Sequence, residues 1–411
     1  MSQVITQPTA LDDFFSPEFF KNPYPVYERL REEDPVHWNP LLNAWMLSRY
    51  DDLIKAYQSS SFSNDWPSVW RFAIPLEEED QARVARCLQF YGRWLQAADQ
   101  PKHTRLRGLA HKAFTPRTIE RLQNRIQQFV DEMLLQAARM DGRMEIMRDL
   151  AMPLPVAVIT ELLGIPNTDR EQFKTWTETT LAFGTYTHPT SEQLKEVEDS
   201  ILALTDYMKE IINERRKKPQ EDLITALTQA EEQGSFLSEE ELIANCVLLL
   251  IAGHETTTNL IGNGLLALLR NPDQLWYLRH NPALIKPAIE ELLRYDSPVQ
   301  WTPRMLAEDL ELGGKEMKKG QFIWLGMGSA NHDPSQFKNP DQLNIARDGG
   351  RHVSFGYGIH YCLGAALARM EGQIAFSTLL NRFPALALET EEADWRPFFH
   401  IRGLKSLPVT F

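Results

Sequence analysis

Phe355-Gly356-Tyr357-Gly358-Ile359-His360-Tyr361-Cys362-Leu363-Gly364 is the stretch on which the reading of this chain turns. Glycines at 356, 358 and 364 permit backbone geometries and close approaches that a Cβ would forbid. Cys362 then opens a helix rich in alanine (Ala365, Ala366, Ala368), where small side chains let another body pack closely. A thiol at a helix amino terminus is stabilised as the thiolate, the form that ligates a metal. Taken alone, a single cysteine is more often a small buried hydrophobe.

Outward from that stretch, helical spacing continues from about Cys362 to Arg382, and a loop with little regular signal, about Pro334 to His352, leads into it. Between Pro298 and that loop, short apolar pieces such as Phe322-Ile323-Trp324-Leu325 alternate with turn residues and predict a small sheet. Further upstream lies the strongest helix signal. Ser238 with Glu241 three residues on is a capping-box pattern, and helical spacing then runs without proline to Arg270, where Asn271-Pro272 stops it. That is about 33 residues, or roughly 50 Å at ~1.5 Å per residue. An apolar helix of that length is expected to cross the protein as a core element. From Asp51 to about Ala230 the pattern is mainly helical, and two short extended pieces, around Val36 to Trp38 and Ala44 to Leu47, precede it. The expected class is mainly α with a minor β region, in one large domain spanning 1–411.

Composition narrows the function classes. The 411 residues are 43% hydrophobic and 24% charged, which excludes disordered and collagen-like chains. The longest strongly apolar run, Val247 to Ala252, is far short of the ~20 residues of a membrane span. The amino terminus is polar (Ser2, Gln3, Thr6, Gln7), so no membrane association and a cytoplasmic setting are expected. Three cysteines, Cys87, Cys246 and Cys362, fit no disulfide framework or metal-finger spacing. A net charge of -13 argues against nucleic acid as a partner.

The aromatic residue, the three glycines, His360 two before Cys362 and Gly364 two after it resemble the haem-binding signature of the cytochrome P450 family. The resemblance covers essentially the whole chain and reverses the bland reading of Cys362. Glu291-Leu292-Leu293-Arg294 is similar to the family's Glu-x-x-Arg element, in which the pair is structural. Ala252-Gly253-His254-Glu255-Thr256-Thr257, mid-way along the long helix, is similar to the oxygen-activation groove. The resemblance implies haem b (iron protoporphyrin IX), lying between the long central helix and the Cys-bearing helix. Cys362 would be its metal ligand, and His103, Arg107, Arg304 and His360 would bind its propionates. Glu255 and Thr256 would be the catalytic acid and alcohol.

The implied activity is a monooxygenase that inserts one oxygen atom from O2 into an apolar organic substrate, by hydroxylation or epoxidation. The acid-alcohol pair favours this over a peroxygenase or an atypical haem-thiolate enzyme (oxidative coupling, dehydration). A non-catalytic haem sensor is the remaining alternative. Electrons would come from ferredoxin or flavodoxin and its NAD(P)H reductase. Arg105 and Lys112, expected to face solvent, are candidates for docking that donor. A monomer is expected. Trp94, Phe183, Ala252, Val299, Trp301 and Phe399 are candidates for the substrate wall, with Phe72 and Tyr186 nearby in sequence. One departure from the family pattern is His332, where many relatives carry arginine.

Overall fold

The computed structural model describes residues 9–68, 70, 76–139, 141–166, 170–185, 189–230 and 236–411. Ser2, Gln3, Thr6, Gln7, Phe72 and Tyr186 lie outside the described residues. By contacts the chain forms two compact units. The first comprises Met1–Phe62, Ile126–Leu154 and Thr256–Phe411, and the second Ser63–Arg125 and Pro155–Glu255.

The first unit carries the sheet. Strands β1 (Val36–Asn39) and β2 (Ala44–Leu47) form an antiparallel hairpin. The Asn39 side chain closes its turn by accepting from the N–H groups of Leu41 and Leu42, and Asn43 takes the left-handed conformation that asparagine tolerates (φ 49°). Strand β4 (Phe322–Gly326) runs parallel to β2 and antiparallel to β3 (Trp301–Leu306), giving the order β1-β2-β4-β3 with the short strand Phe62–Ser63 beyond β3. Val36, Leu47, Leu306, Ile323 and Leu325 place their side chains in one cluster with Leu53 and Phe337. Burying such side chains stabilises the sheet by roughly 1.5–3 kcal/mol each.

Of the helices, four position the site: α1 (Lys102–Ala113), α2 (Glu239–Arg270), α3 (Ile285–Tyr295) and α4 (Ala365–Arg382). The capping box of α2 forms as its sequence predicts. The N–H of Ser238 donates to Glu241 Oε2 at 3.1 Å, and the N–H of Glu241 donates to Ser238 Oγ at 3.2 Å. α2 then runs for 32 residues and ends where Asn271 precedes Pro272. Its Cys246, Val247, Ile251, Ile261, Leu265 and Leu268 are all buried. The division between the two units falls within it, after Glu255. Among the described residues no helix is long and apolar enough to cross a membrane.

One boundary differs from the sequence reading. Cys362 does not open the last helix, because α4 starts only at Ala365, with Gly364 as its cap. The N–H of Cys362 donates to the carbonyl of Phe355 at 2.8 Å, which ties the cysteine into the preceding loop.

Candidate active site

The cysteine loop is shaped by two glycines. Gly356 (φ 70°) and Gly358 (φ 69°) adopt left-handed conformations that would strain any residue with a Cβ. After Gly358 the chain makes a single 3-10 turn through His360 and reaches Cys362. Cys362 is half-buried, whereas Cys87 and Cys246 are buried and their thiols are pushed up to about 12, chiefly by that burial. Next to Cys362, a Cβ built on Gly364 would meet nothing within 4 Å. A half-buried sulfur on a loop set by two left-handed glycines fits the thiolate ligand of a haem.

Beneath the loop lies a fully partnered charged network. Arg369 on α4 donates to both oxygens of Glu290 on α3, at 2.6 and 2.7 Å. Its third nitrogen donates to the Tyr361 hydroxyl at 3.1 Å, and its guanidinium lies 4.4 Å from the centre of the Phe355 ring. Arg369 therefore braces the loop at Phe355 and at Tyr361, the residue just before Cys362. His352 Nε2 adds a contact to Glu290 at 3.1 Å. Burial alone would raise the Glu290 pKa, but Arg369 and His352 outweigh it and hold the carboxyl at about 2.

The adjacent Glu291 points elsewhere, since successive helical residues lie about 100° apart. It accepts from Arg294 at 2.7 and 2.9 Å, from Arg347 at 2.9 Å, and from the N–H of Asn344 at 2.9 Å. Arg294 in turn donates to the carbonyl of Asn331 at 2.8 Å. Thus the Glu291–Arg294 pair anchors the irregular segment that leads to the cysteine loop. Arg347 completes the pair, and no spacing signal in the sequence pointed to it. The departure at His332 also has a structural role. Its ring contacts Asp341 and the Tyr295 carbonyl, each at 2.8 Å, and stacks on Tyr24 at 4.2 Å.

The other candidates of the first unit divide into two groups. Arg304 on β3 is buried, with its guanidinium 5.3 Å from the Tyr57 ring centre, and His360 lies half-buried in the cysteine loop. Thr256 is half-buried on α2, and Val299 forms a bridge with Ile401. Trp301 and Phe399, expected in the substrate wall, are buried and pack against other aromatic rings. Trp301 donates to the Tyr27 hydroxyl at 3.0 Å and packs edge-on against Phe14 and Tyr27, while Phe399 packs against Phe14 and Trp324.

In the second unit, His103 and Arg107 lie one turn apart on α1. His103 is buried, and burial together with the Arg107 charge lowers its pKa to about 4. Arg107 donates to His111 at 2.9 Å. Arg105 departs from expectation: its guanidinium is paired with Glu241 at the start of α2, so the candidate docking cation is already neutralised. Lys112 is exposed. Trp94 and Phe183 are buried in an aromatic cluster, their rings 4.8 and 5.3 Å from that of Tyr91. Trp66 and Trp70 belong to the same cluster. On α2, Ala252 is exposed within the unit and Glu255 is buried, and a Cβ on Gly253 would press on Ile159 at 3.0 Å.

A mainly helical fold with a glycine-turned, charge-braced cysteine loop defines the haem-thiolate class of protein. Residues 76–281 and 276–398 match the family model described as cytochrome P450. The chain is 44% identical over 403 residues to the polyketide biosynthesis cytochrome P450 PksS of Bacillus subtilis (strain 168), covering 96% of each. It is 40% identical to the vitamin D(3) 25-hydroxylase of Pseudonocardia autotrophica, covering 98% of each. Among solved structures, P450BioI in complex with hexadec-9Z-enoic acid ligated acyl carrier protein superposes with a TM-score of 0.88. That match has 39% identity and covers 98% of this chain and 100% of that one. The chain belongs to the cytochrome P450 family, and its activity is that of a monooxygenase.

Proposed function

We propose that this enzyme hydroxylates or epoxidises a long, apolar acyl or polyketide-like substrate, with haem b held by Cys362. The observation that carries the reading is the cysteine loop. Cys362 is the half-buried one of three cysteines, and Arg369 braces its loop through the Tyr361 hydroxyl and the Phe355 ring. The bound group supplies dioxygen reduction and O–O cleavage, which thiolate donation favours. Arg304, His360, His103 and Arg107 offer positive or hydrogen-bonding groups to its carboxylates. Thr256 donates a hydrogen bond at the oxygen-activation position, and Glu255 passes protons to it from solvent. Trp94, Phe183 and Ala252 in the second unit and Val299 in the first are the candidates for contact with the apolar substrate.

The acyl or polyketide class is supported by the relatives, one named for polyketide biosynthesis and one bound to an acylated carrier protein. The aromatic cluster around Tyr91 suits such a chain. Electrons would come from a separate ferredoxin or flavodoxin with its NAD(P)H reductase. A reducing, cytoplasmic setting is consistent with the buried free thiols Cys87 and Cys246.

Two measurements in one cuvette test this reading. The reduced, carbon-monoxide-bound protein is expected to show the Soret band of thiolate ligation. Hexadec-9Z-enoic acid is expected to shift the ferric spin state. A histidine-type Soret band removes the Cys362 assignment, and a flat titration with both free and carrier-linked acyl chains removes the substrate class. Thr256→Ala is expected to retain haem and substrate binding while lowering product formed per NAD(P)H, with peroxide rising in its place. Unchanged coupling in that variant would remove Thr256 from proton delivery.

A further inference from the structure

The chain on either side of Trp94 is gripped by one side chain of α2. Asn245 Oδ1 accepts from the N–H of Leu95 at 2.8 Å, and its Nδ2 donates to the carbonyls of Arg93 at 3.1 Å and Glu241 at 2.7 Å. Both donor hydrogens and the acceptor of the amide are used, which leaves it one orientation. Asn245 is buried, so loss of any of these contacts would leave a polar group unpaired in the interior. The backbone of Trp94 is bonded as well. Its N–H donates to the carbonyl of Tyr91 at 3.0 Å, and its carbonyl accepts from the N–H of Ala97 at 3.1 Å. The indole is thus presented from a fixed point.

That point lies against a particular face of α2. Ala252 stands seven residues beyond Asn245, two turns on and on the same stripe of the helix, about 10 Å away at ~1.5 Å per residue. Along this stripe the helix opens. Asn245 is buried, Leu249 half-buried and Ala252 exposed, while Cys246, Val247, Leu250 and Ile251 on the other faces are buried. Asn245 therefore ties Trp94 to the face of α2 that carries a candidate substrate contact.

The surroundings of the indole are apolar. Its ring centre lies 4.8 Å from that of Tyr91 and 6.2 Å from that of Phe90, both edge-on. The Tyr91 hydroxyl is turned to the carbonyl of Thr180, 2.8 Å away. Trp94 Nε1 is buried and meets no acceptor among the described residues. An indole N–H can only donate, so it requires an oxygen or nitrogen that the protein does not supply there. A water in that place would need two to four polar partners, and the rings beside it offer none.

We propose that the Trp94 indole N–H donates to an oxygen atom of the substrate and so fixes which stretch of its chain is presented for reaction. Asn245 is the positioning residue that holds Trp94 to α2. The inference deepens the reading of Trp94 and Ala252 as substrate contacts and rests on it. The ligand selected is an acyl or polyketide-like chain bearing a carbonyl, carboxyl or hydroxyl oxygen. A chain of equal length without that oxygen leaves the buried donor unpaired, which is the basis of the preference.

Ferric spin-state titration with hexadec-9Z-enoic acid and with the matching alkene, in which a methyl group replaces the carboxyl, reads that preference directly. Trp94→Phe keeps an aromatic ring and deletes the N–H. It is expected to raise the Kd of the acid about tenfold and to change that of the alkene by less than about twofold. An equal change for both ligands, or none for either, overturns the proposal. Asn245→Ala is expected to lower the preference for the acid by about as much and to spread hydroxylation over neighbouring carbons. Added to Trp94→Phe, it is expected to cost no further preference; a second loss of the same size would remove its positioning role. A flat titration of the unaltered enzyme with the acid would sink the substrate class as a whole. A normal titration there, with the preference intact in Trp94→Phe, sinks the Trp94 contact alone.

Discussion

Two neighbouring parts of the first unit treat buried polar groups in opposite ways. Beneath the cysteine loop, Glu290, Glu291, Arg294, Arg347 and Arg369 are joined by direct contacts at 2.6 to 3.1 Å. Along the second half of α2, Asn259 and Asn263 are more deeply buried than Glu290 and Arg369 yet leave amide atoms unpartnered. A saturated charged network has one low-energy arrangement and resists change, which suits a scaffold that must hold a sulfur still. Unpartnered buried amides instead cost stability, so this part of α2 is held by packing and not by hydrogen bonds.

The comparison breaks most visibly at Glu291. Glu291→Ala leaves the buried Arg294 and the half-buried Arg347 without their carboxylate, and a loss of about 3–5 kcal/mol is expected in denaturant unfolding. A loss near zero would mean that the network is no scaffold. Arg369→Ala has a smaller expected cost, about 1 kcal/mol, because that ion pair is partly exposed to solvent. Its signature is pH dependence. The folded Glu290 carboxyl titrates at about 2, below the ordinary glutamate value of ~4.3. Its contribution is therefore full above that ordinary value and is lost as pH falls toward about 2. The stability gap between the unaltered protein and Arg369→Ala is expected to narrow over that window, and a gap independent of pH contradicts it. The smallest effect is expected of Asn259→Leu: removing a buried, unpartnered amide should raise Tm by about 2 °C, and a fall in Tm would mean that the amide is satisfied in the folded protein.

Much of the framework was legible in the sequence because its signals are local. The Ser238–Glu241 box, the Asn271-Pro272 stop and the glycines at 356 and 358 act within a few residues of themselves. What escaped is contact between distant residues. Arg347 and Arg369 meet their glutamates 56 and 79 positions away, and Glu241 holds Arg105 from 136 positions away. Helical periodicity can show that Arg105 leaves the His103 face of α1, but not that a carboxylate waits there. The packing of Trp301 and Phe399 on Phe14 escaped for the same reason. Residues alternate sides along β3, and sequence alone did not say which side of it met Phe14.

The consecutive pair Glu290 and Glu291 has a genetic consequence. One carboxylate holds α4 and the other holds the irregular segment before the loop, and their angular separation is fixed by α3. Deleting or inserting a single residue in α3 ahead of the pair would turn both by about 100° and misdirect two anchors at once. Point substitutions there are expected to be graded in effect, whereas length changes are expected to be all-or-none. In a library of insertions and deletions, α3 should stand out as a gap in the survivors, although no residue of it touches substrate.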